Sequence, residues 1–404
     1  MRVLVQKFGG TSVKNKESRE YAIRHIKEAL IEGYKVVVVV SAMGRFPEPY
    51  STDALLSLID GNHSKISNKE KDLLLSCGET ISATVFSHDL LEHQINAVAI
   101  PGGEAGIITT SNFSNAQIKR VDTKHLYHVL SNQQVVVVAG FQGKTEDNEV
   151  TTIGRGGSDT SATALAAALQ AEYVDIFTDV NGIMTADPRV VTNAQKLDTI
   201  SYTEICNLAY QGAKVIHPRA VEIAMQANVP IRVRSTKLKD KGTLITNVPE
   251  TDYSESVHDR LATGIAYVNQ ITQIKIQEAK EPEQLHVKVF KAMAEAGISV
   301  DFINISPNGV IYTIFKRDET LAKQVLESLN LQPIITKDCA KISLVGAGMS
   351  GVPGVTSKIV QTLTSKNIPI LQSADSHRTI WVLIQNVHLE TALNALHEAF
   401  RLEK

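Results

Sequence analysis

Lys35–Val40 reads KVVVVV, five β-branched residues in a row with nothing polar between them. A strand with one wet face alternates apolar and polar residues, so an unbroken run of this kind is covered on both faces, as in a parallel sheet enclosed by helices. Working outward, Gly33 closes a helical pattern of Ala22, Ile23, Ile26, Ala29 and Leu30, and ahead of that lies a short apolar stretch, Val3–Val5, followed by Gly9 and Gly10. The same grammar recurs in Gln134–Val138 (QVVVV), a helix after Gly157, Val174–Phe177 (VDIF), a helix near Tyr202–Ala213 and Pro230–Arg234 (PIRVR). Apolar strands alternating with helices predict an α/β domain with a mostly parallel sheet.

At 404 residues the chain is long for a single core, and two or three domains are expected. Hydrophobic residues make up 43%, charged residues 21%, and the net charge is -2, which excludes a disordered tail, a coiled coil or a polycation and leaves nucleic acid without a footing as partner. No apolar run approaches the roughly 20 residues of a membrane span, and the amino terminus lacks the pattern of a leader, so a cytoplasmic protein with no membrane partner is expected. Cys77, Cys206 and Cys339 are too few and too scattered for a disulfide framework. The twelve histidines form no His-x-x-x-His pair, and no resident metal is expected.

From Asn247 to about Arg260 the text turns polar and aperiodic (NVPETDYSESVHDR), which reads as a connector. Beyond it the chain repeats itself. Val289–Ser306 (VFKAMAEAGISVDFINIS) matches Ile359–Ser376 (IVQTLTSKNIPILQSADS) at a constant offset of 70, and Ile311–Ile314 falls opposite Trp381–Ile384. Each copy reads as strand, helix, strand, turn, strand. Two copies are too few for a solenoid and fit a paired regulatory or dimerising unit.

Two glycine turns stand out. IGRGGSDTSATALAAAL, Ile153–Leu169, places Gly156 and Gly157 before a helix that Ser158 or Asp159 is expected to cap, with Arg155 offering a planar fork to a carboxylate or phosphate. KFGGTS, Lys7–Ser12, has the same form with Lys7 as a mobile point charge. Either turn alone could be an ordinary capped helix; two in one α/β domain, each with a cation, point to a site for anions. VSAMG, Val40–Gly44, ends another strand in a glycine turn where open α/β sheets place ligands. No Gly-x-x-x-x-Gly-Lys-Ser/Thr, His-Arg-Asp or Asp-Phe-Gly occurs. LVGAGMSG, Leu344–Gly351, satisfies the dinucleotide fingerprint but lies inside the second repeat, without the βαβ context that the fingerprint requires.

KFGGTS at Lys7, GRGGSD at Gly154, FTDVNGIMTADPR at Phe177 and GAKVIHP at Gly212, in this order and ahead of a doubled module, resemble the aspartate kinases over essentially the whole chain, in particular the monofunctional, diaminopimelate-sensitive type of bacilli. The resemblance implies a three-layer α/β/α amino-acid-kinase domain (carbamate-kinase-like) over residues 1–247, a linker over 248–262, and two ferredoxin-like ACT domains over 263–335 and 336–404. It implies transfer of the γ-phosphoryl of ATP, with Mg2+ carried by ATP, to the β-carboxylate of L-aspartate, the step that commits aspartate to lysine, diaminopimelate, threonine and methionine synthesis. A carboxylate needs no general base, so the protein must align two anions and offset their charge.

Carried over by position, Lys7 and Asp159 are the catalytic pair, Asp159 orienting Lys7 or an Mg-bound water. Ser41, Thr52, Glu79, Arg155, Gly156, Gly157 and Ser158 match aspartate-binding positions, Glu79 taking the ammonium group and Arg155 the α-carboxylate. Lys7, Phe8, Gly9, Gly10, Ser158, Thr178, Asp179, Met184, Asp187, Arg189 and Lys214 match the ATP site. Met184 stands where many members carry Tyr. Leu285, His286, Val300, Asp301 and Ser306 match a pocket for a feedback amino acid (diaminopimelate, lysine or threonine), Asp301 meeting its amino group, and the paired ACT domains imply a homodimer or larger homo-oligomer. The alternatives are another kinase of the same fold, such as a glutamate 5-kinase, and a sensor that has lost its chemistry. The first lacks the doubled tail, and intact Lys7, Arg155 and Asp159 speak against the second.

Overall fold

The computed structural model describes residues 1–61, 64–213, 215–247, 261–277, 282–349 and 351–403. Contacts divide the chain into two compact units, Met1–Ile183 with Lys196–Ala209 and Lys214–Ser256, and Met184–Gln195 with Tyr210–Ala213 and Val257–Lys404.

In the first unit an eight-stranded sheet runs in the order Thr199–Ser201, Thr243–Thr246, Ile231–Ser235, Val174–Thr178, Val3–Phe8, Lys35–Val40, Val135–Ala139, Ala97–Ile100. Seven pairings join these strands and only the one between Ile231–Ser235 and Thr243–Thr246 is antiparallel, as the apolar runs predict. Val36 to Val40 are all fully buried. Leu4, Phe8, Val36, Val38 and Val40 meet Ile23, Ile26, Phe86 and Leu90 from the helices Lys16–Ile31 and Asn68–Glu92 on one face. The helix Gly157–Ala168 covers Val3–Phe8, Lys35–Val40 and Val174–Thr178 on the other, giving three layers.

The helix ends follow their sequence signals. Asn15 caps Lys16–Ile31 by accepting from the Ser18 N–H at 2.9 Å. Ser67 and Glu70 form a reciprocal capping box at the start of Asn68–Glu92. A second sheet of four short strands, Ile118–Val121, Ile107–Thr109, Gln142–Lys144 and Val150–Thr152, stands beside the main one, its strands too short to show a period in the sequence. Its last strand leads into the Arg155 turn.

The second unit holds one six-stranded sheet in which every pairing is antiparallel, ordered Asp301–Ser306, Gly309–Phe315, Gly264–Gln277, Ile334–Val345, Thr379–Gln385, Gln372–Asp375. The offset of 70 between the two copies holds in their strands: Gly264 corresponds to Ile334, and Gly309–Phe315 to Thr379–Gln385. Each copy also carries a final helix, Glu319–Ser328 and Leu389–Ala399, beyond the expected strand, helix, strand, turn, strand. Ile334–Val345 runs antiparallel to both neighbours, so the glycine run behind it is not a dinucleotide-binding βαβ turn.

The expected boundaries place residues 184–195 and 210–213 in the first domain, whereas both segments group with the second unit. The cause is packing: Ala186 and Val191 belong to the apolar cluster of Ile342 and Leu393. The Ile265 N–H donates to the Thr185 carbonyl at 2.7 Å, and Thr185 Oγ1 lies 2.9 Å from His397 Nε2. Of the expected linker, residues 248–260 lie outside the described ones. Among the described residues no helix is long and apolar enough to cross a membrane.

Candidate active site

Three adjacent parallel strands, Val3–Phe8, Lys35–Val40 and Val174–Thr178, end at one cavity of about 270 Å³. Carboxyl ends of parallel strands at the point where the strand order reverses are where open α/β sheets bind ligands. The lining brings together seven of the residues expected there, Lys7, Gly9, Gly10, Ser41, Asp159, Thr178 and Asp179, and adds Thr11, Gly44 and Arg45.

Lys7 and Asp159, 152 positions apart, meet at 2.6 Å, each with a side chain 13% exposed. The helix carrying Asp159 is not capped by Ser158 or Asp159 as expected. Its cap is Gly156, left-handed at φ +68°, with no side-chain hydrogen bond. The Asp159 carboxylate is engaged instead by Lys7, and its Oδ2 also accepts from the His217 N–H at 3.4 Å. A Cβ on Gly156 would sit 2.1 Å from His217 Cγ, so this turn tolerates glycine alone. Gly10 is as constrained: its Cβ would fall 2.5 Å from the Ala42 carbonyl oxygen. Arg45 and Asp179 face each other at 3.8 Å on the exposed side.

Phe8 does not line the cavity. Its ring is fully buried and stacks on Phe177 at 4.6 Å, with Phe86 edge-on; what it gives the site is a carbonyl that accepts from the Ser41 N–H at 3.1 Å. Glu79 stands one residue behind the lining. It is 2% exposed, its Oε1 accepts from the Ala42 N–H at 3.0 Å, and its Oε2 has no partner among the described residues. Burial pushes its carboxyl up to about 8, against the pull of the Ala42 N–H and its own backbone. Thr52 opens the short helix Thr52–Ser57, which is capped by Ser51. Ser158 is buried and Gly157 packs against Phe141, while Arg155 is exposed and free of ion pairs among the described residues. His217, given no role by sequence reasoning although it lies in the GAKVIHP motif, joins this region. Burial holds its imidazole below the ordinary value; Asp159 opposes this, and Arg219 and Arg155 reinforce it.

Met184, Asp187 and Arg189, expected at the nucleotide, belong to the second unit and are not among the lining residues. Arg189 donates to Asp187 at 2.7 and 2.9 Å, and the Tyr267 hydroxyl donates to the same carboxylate at 3.2 Å. Lys214 lies outside the described residues. Of the expected effector positions, Leu285 is a core residue beside Val289 and Ile298, and Val300 packs against the same cluster. His286 is half-buried with Nε2 unpartnered among the described residues, and the Ser306 hydroxyl donates to Gly309. Asp301 pairs closely with Lys341.

A cation flanked by glycine turns suits a chain of phosphates. Among the described residues the one group with the geometry for a metal, His88, Asp89 and Glu92, has Asp89 paired with Arg19 and Glu92 with Lys16.

Such a fold and cavity define a small-molecule kinase with a regulatory tail: residues 2–235 match the amino acid kinase family and residues 334–398 an ACT domain. The chain is 58% identical over 404 residues to aspartokinase 1 of Bacillus subtilis strain 168, covering all of both chains, and 40% identical over 408 residues to an aspartokinase of Geobacillus stearothermophilus, covering all of this chain and 98% of that one. The crystal structure of Escherichia coli aspartokinase III with aspartate and ADP (R-state) superposes with a TM-score of 0.77 at 26% identity, covering 98% of this chain and 99% of that one. The chain belongs to the aspartokinase family.

Proposed function

We propose that the chain transfers the γ-phosphoryl of MgATP to the β-carboxylate of L-aspartate, giving 4-phospho-L-aspartate and ADP. The observation that carries the reading is the Lys7–Asp159 pair at the mouth of three parallel strands, at 2.6 Å, in a chain of this family. A carboxylate oxygen of aspartate attacks Pγ while the bond from Pγ to the bridging oxygen breaks and its electron pair leaves with ADP. No proton need move, so the protein contributes alignment and charge. Lys7 supplies positive charge that Asp159 holds in place. The Gly9–Gly10 turn lets the backbone approach the phosphates, with Ser158, Thr178 and Asp179 beside them. Glu79, with one buried oxygen unpartnered among the described residues, takes the aspartate ammonium, and Arg155, exposed and unpaired among them, takes its α-carboxylate, with Ser41, Thr52, Gly156 and Gly157 around it. Mg2+ enters with ATP as part of the substrate; the two acids lining the cavity among the described residues already face Lys7 and Arg45. Met184, Asp187, Arg189 and Lys214 are assigned to the nucleotide on family resemblance alone.

Feedback belongs to the repeated C-terminal module. Asp301 is 67% exposed while its partner Lys341 is 7% exposed, so an amino-acid effector's ammonium would compete with Lys341 for an accessible carboxylate. The exposed Ile303 and Ile305 on the edge strand Asp301–Ser306 favour pairing with a second copy in a homodimer or larger assembly.

Incubating the chain with MgATP, L-aspartate and hydroxylamine is expected to yield aspartyl hydroxamate, and none when L-glutamate replaces aspartate. Hydroxamate from glutamate alone would overturn the substrate, and none from either would overturn the reaction. Repeating the assay with diaminopimelate, lysine and threonine, singly and in pairs, identifies the effector.

A further inference from the structure

We infer that Asp72 is a positioning residue that sets the aspartate-binding half of the site, an inference resting on the aspartate reading of Glu79 and Arg155. Asp72 is a fully buried carboxylate on the helix Asn68–Glu92, and no cationic side chain pairs with it among the described residues. Its charge is met by hydrogen-bond donors alone. The Ser114 N–H donates to both oxygens at 3.0 and 2.9 Å and the Ser114 hydroxyl to Oδ1 at 3.1 Å. The Thr152 N–H donates to Oδ2 and its hydroxyl to Oδ1, each at 2.7 Å.

A buried carboxylate is costly unless every lone pair is met, and five hydrogen bonds from four donor groups are more than helix packing requires. What the five bonds join is informative. Thr152 ends the strand that leads through Gly154 to Arg155. Ser114 belongs to the loop on which Gly154 rests: a Cβ on Gly154 would lie 2.9 Å from Asn115 Oδ1 and 3.3 Å from the Ser114 carbonyl oxygen. Glu79 sits seven residues after Asp72, two turns along the same helix face, a rise of about 10 Å. One helix therefore carries the partner of the substrate's ammonium group and grips the strand that presents the partner of its α-carboxylate. The separation of the two is fixed through Asp72.

Asp72→Asn keeps the shape but puts an amide NH2 against N–H and O–H donors. The expected result is a rise of about tenfold or more in KM for L-aspartate, the loss of one charged hydrogen-bond set, with the Kd for ADP unchanged within about twofold. Thr152→Val is expected to raise KM for aspartate in the same direction, and Thr152→Ser, which keeps the hydroxyl, to restore it. A purely structural role would weaken ADP and aspartate together. An unchanged KM for aspartate in Asp72→Asn, parallel loss of ADP affinity, or, should Asp72→Asn fail to fold, a Thr152→Val enzyme with wild-type KM would overturn the inference. In each case the wild-type chain must form product from aspartate in the same assay; if it does not, the substrate reading fails and takes the inference with it, whereas product with an unmoved KM sinks the inference alone.

Discussion

Lys7→Ala is expected to lower kcat by about 10²–10³-fold, with the Kd for ADP changed far less, because the ammonium group meets charge that develops as the γ-phosphoryl transfers. Its Nζ is the cation held deepest in the cavity, 13% exposed and 2.6 Å from Asp159. Arg45, the other cation lining the cavity among the described residues, is 75% exposed and faces Asp179, so it is screened by water and poorly placed to substitute. The variant also leaves the largely buried Asp159 carboxylate without its counter-charge, where it would repel the polyphosphate it now helps to seat. Asp159→Asn should consequently recover part of the loss when combined with Lys7→Ala. Lys7→Arg should not rescue: a planar fork on a longer stem does not reproduce a point charge beside a glycine turn. Steady-state rates of ADP release, alongside equilibrium ADP binding, check this. A Lys7→Ala enzyme within threefold of wild-type kcat would show that the cation serves binding or folding and not the transfer.

The parts of this architecture that the sequence announces are those decided locally. KVVVVV is legible because burial on both faces leaves no alternative to an apolar run, and all five valines are fully buried. The repeat is legible because packing demands recur at a fixed offset. Its final helices could have been found as well: Ala322 and Leu326, and Leu389, Ala392, Leu393 and Leu396, fall at three- and four-residue spacing and are buried. The four-stranded side sheet could not, since strands of three or four residues are too short to show a period. Ser158 and Asp159 do not cap because the helix already starts at Gly157 behind a left-handed Gly156, which puts both inside its first turn, and a contact 152 residues away claims the Asp159 carboxylate. Asp72 shows the same limit more sharply: within KDLLLSCGE it reads as a solvated helix charge, and only Ser114 and Thr152, 42 and 80 positions later, make it a buried acceptor. Chemistry assembled over long separations reached the sequence reading only through resemblance of ordered motifs, and that route assigned Phe8 to the nucleotide although its ring is core.

Glu79 titrates where few carboxylates do, and its pH behaviour follows from burial. In the ligand-free chain its carboxyl is raised from 4.5 to about 8, chiefly by desolvation, so at pH 7 it is mostly protonated. An aspartate ammonium arriving at the unpartnered Oε2 supplies the opposite charge and draws the proton off. Aspartate binding at pH 6–7 is therefore expected to release about one proton, falling toward zero above about pH 8, measurable by calorimetry in buffers of different ionisation enthalpy. The kcat/KM for aspartate should climb by up to about tenfold per pH unit below about 8 and then level off. Stability moves the other way. A folded-state value above the unfolded one means that the native chain binds the extra proton, so the contribution is whole below about 4.5, declines as pH rises, and is gone above about 8. Glu79→Gln keeps the neutral, hydrogen-bonded shape while removing the charge. It should flatten both profiles and raise KM for aspartate by about 10–100-fold, the usual worth of a hydrogen bond to a charged group. If Glu79→Gln retains the wild-type pH dependence of kcat/KM for aspartate, the ammonium group is bound elsewhere, and the burial of Glu79 serves the seam between the helix Asn68–Glu92 and the turn at Ala42 instead.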